Sequence, residues 1–257
     1  MSTPRAVAVV GFKAAGKTQV VEALVRELTL RGLRVGTLKH ASRTHLLDTP
    51  GKDTHRHQEA GSVASAILTS EATAVFLNDQ ISVADAVEKL GYLDIVVFEG
   101  FKSLDTVARI VVPRDDEDVE ALLNGLEIAI STPSEEGPSI EETTAPVIPL
   151  SHINELADRV ESKAFPLLSG LNCGGCGYES CRELAQAILA GEAEADKCVN
   201  YWSESIRIKV NDRIVALKPF VNEIIRNVVL GMIRTLRGGE DPHKIELVFN
   251  IGGEDHG

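Results

Sequence analysis

Gly11-Phe12-Lys13-Ala14-Ala15-Gly16-Lys17-Thr18 fits the pattern G-x-x-x-x-G-K-[ST] in full, and the residues flanking it leave little choice of architecture. Ahead of it, Ala6 to Val10 is a continuous apolar run suited to a buried strand. Behind it, Val20, Ala23, Leu24 and Leu28 recur at helical spacing as far as Leu30. A glycine-rich turn between a strand and a helix lets successive backbone N–H groups point inward at phosphate oxygens, and the helix adds the positive end of its dipole. In that setting Lys17 neutralises β- and γ-phosphates and is the candidate catalytic cation, while Thr18 offers its hydroxyl to Mg²⁺. Gly11, Phe12, Lys13, Ala14, Ala15 and Gly16 form the expected nucleotide cradle.

The same alternation continues downstream. Strands are predicted at Arg34–Leu38, Ala74–Leu77, Leu93–Phe98, Arg109–Val112, Leu126–Ile130 and Val147–Leu150. Helical patterns fall at Glu59–Leu68, Val83–Leu90, Val119–Asn124 and Ile153–Glu161. Together they predict an α/β chain with a layered, mostly parallel sheet of the P-loop NTPase type. A magnesium-bound phosphate also wants a carboxylate at the C-terminal edge of a neighbouring strand, and Glu99, closing Asp94-Ile-Val-Val-Phe-Glu99, supplies one. Glu99 is therefore a candidate catalytic and magnesium residue; a solvated strand-end acid is its other reading. Asp94 opens that strand and is expected to cap the far edge.

Thr37-Leu38-Lys39-His40 ends the second strand, and Asp48 to His57 follows as a polar stretch. At the same sheet edge, Lys39, Lys52 and Arg56 are placed to meet anionic ligand groups, and Asp53 to reach the nucleotide's magnesium. His40, His45, His55 and His57 fit a solvated or phosphate-binding loop better than a zinc site.

All four cysteines lie between Cys173 and Cys198, in the spacing C-x2-C-x4-C-x16-C. Cys173, Cys176 and Cys181 share a glycine-rich loop, and a helix over Arg182–Ala190 returns the chain so that Cys198 can complete a four-thiolate set. The reading is a [4Fe–4S] cluster, with structural zinc as the rival metal, since zinc usually takes two C-x2-C pairs.

A formal net charge of −12 excludes a chain whose main surface coats nucleic acid, which needs clustered Lys and Arg. The longest apolar run falls short of a membrane span, and the start MSTPRAVAVVGF lacks an apolar signal core. With cysteines grouped for metal rather than disulfides, a cytoplasmic location is expected, with no nucleic acid or membrane partner. The expected organisation is a P-loop GTP-binding domain over 1–163, a cluster module over 164–200 and a small α+β tail over 201–257. Thr132–Pro146 reads as a surface loop. In the tail, a hairpin about Asn211-Asp212, a helix from Pro219 to about Leu236 and a strand at Lys244–Asn250 are predicted, the helix packing Phe220, Ile224, Ile225, Val228, Val229 and Met232 as core.

The ordered motifs GFKAAGKT, TLKH, DTPGKDTHRHQEAG and DIVVFEGFK resemble the molybdopterin-guanine dinucleotide biosynthesis adaptor protein B (MobB) family, over about residues 1–161. That resemblance implies a GTP-binding, weakly hydrolysing P-loop protein, commonly a homodimer. It also implies partnership with the molybdopterin guanylyltransferase and with apo-molybdoenzymes, and makes molybdopterin a candidate ligand. There is no [NT]-K-x-D guanine-reading motif, and Ser131-Thr132 stands where relatives often show Ser-Asp, so guanine preference rests on the resemblance. LNCGGCGYESCRELAQAILAGEAEADKC is similar to the cluster domain of corrinoid iron–sulfur proteins and of an electron-transport complex subunit, over about residues 166–199. The expected function is a GTP-binding accessory protein of molybdenum cofactor biosynthesis. A nucleotide-dependent chaperone or a redox carrier for cofactor insertion is the alternative.

Overall fold

The computed structural model describes residues 3–41, 48–133, 143–200, 208–210, 213–215, 217, 219–238, 240, 245 and 247. Strand β1 (Arg5–Val10) lies at the middle of the main sheet, flanked by β5 (Ile95–Glu99) on one side and β6 (Ala108–Val111) on the other. Beyond β5 lies β2 (Val35–Lys39); beyond β6 come β7 (Glu127–Thr132) and β8 (Val147–Pro149). These six strands run parallel, and a short antiparallel piece, β9 (Phe165–Pro166), pairs with the start of β1. Parallel strands are covered on both faces, which is why these segments read as unbroken apolar runs. Along β1 the pleat sends Val7 and Val9 into one core and Ala6, Ala8 and Val10 into the other.

The first core is roofed by α1 (Lys17–Leu30) and α5 (Ile153–Lys163), through Val20, Leu24 and Leu28 on one helix and Leu156, Ala157 and Val160 on the other. Arg31 ties the two together by ion pairs to Glu27, Asp158 and Glu161. The second core lies under α3 (Val83–Lys89) and α4 (Asp116–Leu122). Helix α4 begins earlier than its apolar pattern suggests, because Asp115 Oδ1 accepts from Asp118 N at 2.9 Å and caps it.

Between β2 and α3 the structure departs from the sequence reading. The helix expected over Glu59–Leu68 is instead α2 (Asp53–Glu59) followed by strand β3 (Ala64–Leu68). Gly61, at φ 103°, ends the helix in a conformation that side-chain-bearing residues rarely adopt. The apolar residues downstream then pair antiparallel with β4 (Thr73–Leu77), in a two-stranded sheet separate from the main one. The spacing of Val63, Ile67 and Leu68 imitates a helix, yet no helical face is buried there; Val63 and Leu68 are both 75% exposed.

The cysteine segment carries α6 (Cys181–Ala190), which begins one residue before its predicted start. Its Leu184 and Ala185, with Cys181 and Cys198, belong to the same core as Val9, Leu24 and Leu156. By contacts the chain forms two compact units, 1–203 and 204–257. In the second, β10 (Ile208–Val210) and β11 (Arg213–Val215) pair antiparallel as the hairpin reading expects, and α7 (Pro219–Ile233) follows. The apolar stripe of α7 is not a buried core: Phe220 is 72% exposed, and Ile224, Val228 and Met232 are exposed as well. The strand predicted at Lys244–Asn250 lies largely outside the described residues, as do His45 and most of the Thr132–Pro146 loop.

Candidate functional site

The strand order reverses about β1: the chain leaves it toward β2 on one side and later returns to β6 on the other. The crevice beyond such a switch point is where open α/β sheets bind ligands, and Gly11–Thr18 occupies it. Gly11 comes so close to the neighbouring strand end that a Cβ there would meet Val112 O at 2.4 Å. Ala14 (φ 65°) and Gly16 (φ 89°) turn the loop left-handed, so that α1 starts at Lys17. Among the described residues no side chain caps that helix start and its first turn carries no acid, which leaves its positive end facing the loop.

A depression of about 650 Å³ opens against this loop, lined by residues 14–19, Pro113, Arg114 and Pro133. Burial lowers the pKa of the Lys17 ammonium, as do Lys102 and Lys39, while Glu99 opposes the shift. Its Nζ donates to Phe12 O at 2.5 Å.

Glu99 stands beside the loop. Its Oε1 accepts from Thr18 Oγ1 at 2.8 Å and pairs with Lys39 Nζ at 2.8 Å. The sheet register sets up this contact, since Lys39 and Glu99 are direct partners on β2 and β5 and so share a face. Burial alone would raise the Glu99 pKa; hydrogen bonds from Lys39 and Thr18 and the charges of Lys39 and Lys17 outweigh it and lower the pKa. Asp94 lies at the opposite strand end, where its Oδ2 accepts from Arg34 N at 2.7 Å.

The structure thus brings Lys17, Thr18, Lys39 and Glu99 into one constellation. Asp53 is the first residue of α2 and exposed, with Lys52 and Arg56 exposed beside it.

Sequence reasoning missed the cations on the other flank. Lys102 Nζ lies 4.1 Å from the centre of the Phe12 ring and the Arg114 guanidinium 5.3 Å from it. Arg114 is held by Asp118 through bonds of 2.7 and 2.8 Å. It follows the C-terminal end of β6, so the strand-edge rule that selected Glu99 would have found it. Behind them Arg109 is only 2% exposed and donates to the carbonyls of Lys102, Leu104 and Leu122, fixing the loop that follows Glu99. Burial lowers its pKa.

The four thiols are free. Cys173 is exposed and Cys176 half-buried, whereas Cys181 and Cys198 are buried. Among the described residues, no three His, Cys, Asp or Glu side chains stand close enough to share one metal ion. Three of the thiols, those of Cys173, Cys181 and Cys198, nonetheless have polar partners within reach. Asn172 N reaches Cys181 Sγ at 3.4 Å, and Asn200 Nδ2 reaches Cys173 Sγ at 3.3 Å. Ser169 Oγ lies 3.9 Å from Cys181 Sγ and 4.0 Å from Cys198 Sγ. Burial pushes the Cys198 thiol up, against hydrogen bonds from Asn200 and Ser169. A set of four thiols with N–H donors at Cys173 and Cys181 and a hydroxyl beside Cys181 and Cys198 suits an iron–sulfur cluster, whose anionic sulfurs accept such bonds.

Comparison with known proteins agrees with this geometry. The family model "Molybdopterin guanine dinucleotide synthesis protein B" matches residues 6–132, and the model "Putative Fe-S cluster" matches residues 168–199. A Methanocaldococcus jannaschii protein, "Putative molybdopterin-guanine dinucleotide biosynthesis adapter protein", is 28% identical over 251 residues, covering 96% of this chain and 98% of its own. The Bacillus subtilis protein "Probable molybdopterin-guanine dinucleotide biosynthesis adapter protein" is 31% identical over 121 residues, 45% of this chain and 69% of its own. The crystal structure of Bacillus subtilis MobB superposes with a TM-score of 0.52 at 26% identity, over 60% of this chain and 97% of that one. No helix among the described residues is long and apolar enough to cross a membrane. A switch-point phosphate loop, the matched family model and a relative sharing most of its length lead to one assignment: the chain belongs to the MobB family of molybdopterin-guanine dinucleotide biosynthesis adapter proteins.

Proposed function

We propose that this chain is a GTP-binding accessory protein, at most a weak GTPase, that assists formation or delivery of molybdopterin-guanine dinucleotide and carries a [4Fe–4S] cluster. The observation that carries the reading is the 2.8 Å contact between Thr18 and Glu99 beside the left-handed turn at Gly16. A hydroxyl and a carboxylate joined at the end of a phosphate loop are the pair that holds Mg²⁺ on a triphosphate. In this reading the amides of Gly11 to Thr18 and the ammonium of Lys17 hold the phosphates. Thr18 and Glu99 would hold Mg²⁺, Lys39, now paired with Glu99, would supply a further charge to phosphate, and Asp53 on α2 is the remaining candidate acid. Among the described residues no side chain at the site stands as an evident general base, which fits hydrolysis being slow at most.

Cys173, Cys176, Cys181 and Cys198 hold the cluster, which supplies one-electron chemistry when bound. The exposed Lys39, Lys52 and Arg56 suit the anionic groups of molybdopterin as a second ligand. Molybdopterin guanylyltransferase and apo-molybdoenzymes are the protein partners, and the location is cytoplasmic, where free thiols persist. The exposed apolar residues of the β3–β4 hairpin support a homodimer. A second reading, a nucleotide-dependent chaperone or redox carrier for cofactor insertion, is favoured by the shared core of cysteine segment and phosphate-loop unit. Calorimetry with GTP and ATP on anaerobic, magnesium-supplied protein tests the first reading: GTP should bind, and Lys17→Ala should abolish binding. Absence of heat with either purine triphosphate sinks it. Stable capture of an apo-molybdoenzyme without the transferase favours the second reading instead.

A further inference from the structure

The cysteine ring is asymmetric in a way that bears on electron transfer. Cys181 and Cys198 are sealed into the core behind the phosphate-loop unit, whereas Cys173 faces solvent. Each region has a side-chain donor supplied from outside the cysteine loop itself. Ser169, from the segment leading into the loop, sits between the two buried thiols. Asn200, two residues past the last cysteine, places its carboxamide nitrogen 3.3 Å from the exposed Cys173 Sγ. Local architecture holds both in place. Leu168 N donates to Thr106 O at 3.2 Å and so anchors the residue before Ser169. Cys198 N donates to Ala195 O at 3.1 Å, closing the turn from which Asn200 emerges. Hydrogen bonds to the sulfurs are among the few means by which a protein sets the potential of an iron–sulfur centre, because they stabilise the more negative, reduced state.

We propose that Asn200, with Ser169 as its counterpart on the buried side, is a potential-setting residue of the centre: its amide N–H to Cys173 raises the reduction potential at the solvent-facing edge. The inference rests on the proposed [4Fe–4S] reading of the four cysteines. It makes Cys173 the edge through which an external donor or acceptor protein exchanges single electrons with this chain. It gives Asn200 a role that a residue merely filling a loop would not have.

The test is a redox titration of the whole chain, purified without oxygen, with dithionite as reductant and ferricyanide as oxidant, followed by electron paramagnetic resonance. Iron content and visible absorbance are measured alongside. Asn200→Ala should keep full iron content and shift the reduced-to-oxidised ratio at fixed potential three- to tenfold toward oxidised. That is about 28 to 59 mV downward for a one-electron couple, at 59 mV per decade. Asn200→Asp, of the same shape but with an anion replacing the donor, should shift it further in the same direction, and Ser169→Ala should shift it the same way. Unchanged midpoints at full iron content overturn the proposal. So does loss of the centre in both Asn200 variants while wild type retains it, since the side chain is then structural. Wild-type protein that holds zinc or no metal overturns the cluster reading as well, and iron analysis separates that result from the other two.

Discussion

Gly11, at the C-terminal edge of the main sheet, and Gly36, near the opposite end of β2, make a matched pair for testing what packs the strands. A Cβ at Gly36 would lie 2.3 Å from Leu93 Cδ1, nominally the tighter clash; at Gly11 it would lie 2.4 Å from Val112 O. The two neighbours differ in what they can do. Leu93 Cδ1 is the tip of a flexible side chain and can rotate away, while the Val112 carbonyl is backbone, and the Val112 amide is already bonded to Val10 O at 2.8 Å. Gly36→Ala should therefore cost less than about 1 kcal/mol, because alanine also loses less conformational freedom in a strand than glycine does. Gly11→Ala must push β1 from β6, an overpacking cost of about 1–3 kcal/mol. At about 2–4 °C per kcal/mol for a unit of this size, that is a fall in Tm of roughly 2–12 °C. It should also weaken GTP, since the first phosphate-loop residue moves. Urea unfolding followed by circular dichroism, with unchanged m-values, measures both. Equal losses from the two variants, or a Gly11→Ala protein within about 2 °C of wild type, would refute this account of the loop's geometry.

Two further outcomes follow from buried charge. Arg109→Met removes the donors to the carbonyls of Lys102, Leu104 and Leu122, of which only the Leu122 bond is fully buried, so at about 1–3 kcal/mol per stranded buried acceptor the variant should lose about 1–3 kcal/mol by chemical denaturation. A loss under 1 kcal/mol would mean the loop after Glu99 does not depend on it. Glu99 has a folded-state pKa lowered below its ordinary value, so its ionised form contributes stability that is fully present above the unfolded pKa of about 4.3 and is lost as pH falls through the lower folded value. The stability difference between wild type and Glu99→Gln should accordingly be flat from pH 7 to about 5 and shrink only below about 4.3; a difference that disappears near pH 6 contradicts the Lys39 and Thr18 contacts.

The main sheet was legible because parallel strands buried on both faces write their identity as unbroken apolar runs, as in Ala6–Val10 and Ile95–Phe98. The constellation of Lys17, Thr18 and Glu99 was legible for the same reason, since fixing a strand's direction fixes which end bears the site. What failed was local. The segment from Val63 to Leu68 has apolar residues at helical spacing, and only Gly61 warned that the helix had already ended at Glu59. Helix α7 shows an apolar stripe whose periodicity is real but whose exposure no pattern reveals, because periodicity reports a face and not what covers it. Arg109 and Lys102 were illegible for a third reason: their roles come from long-range placement against backbone carbonyls and the Phe12 ring.

The cysteine segment looks separable in sequence, yet Cys181, Leu184, Ala185 and Cys198 share a core with Val9, Leu24 and Leu156. Arg182 also donates to Asn124 O at 2.6 Å, tying α6 to the turn ahead of β7. Because a preformed metal site rarely exists in the unfolded chain, the free energy of metal binding is folding free energy. Two of the four cysteines, Cys181 and Cys198, lie in the core shared with the phosphate-loop segment, so that free energy should stabilise residues 1–203 as one body. If the bound centre contributes even about 3 kcal/mol, the scale of one structural cross-link, its removal by a chelator should lower the Tm of this unit by roughly 6–12 °C. The shift should appear in one cooperative transition, including when GTP-protected Tm is the readout. A nucleotide-protected transition unmoved by iron removal, with the cysteine segment melting separately at lower temperature, would show that the shared core does not couple the two.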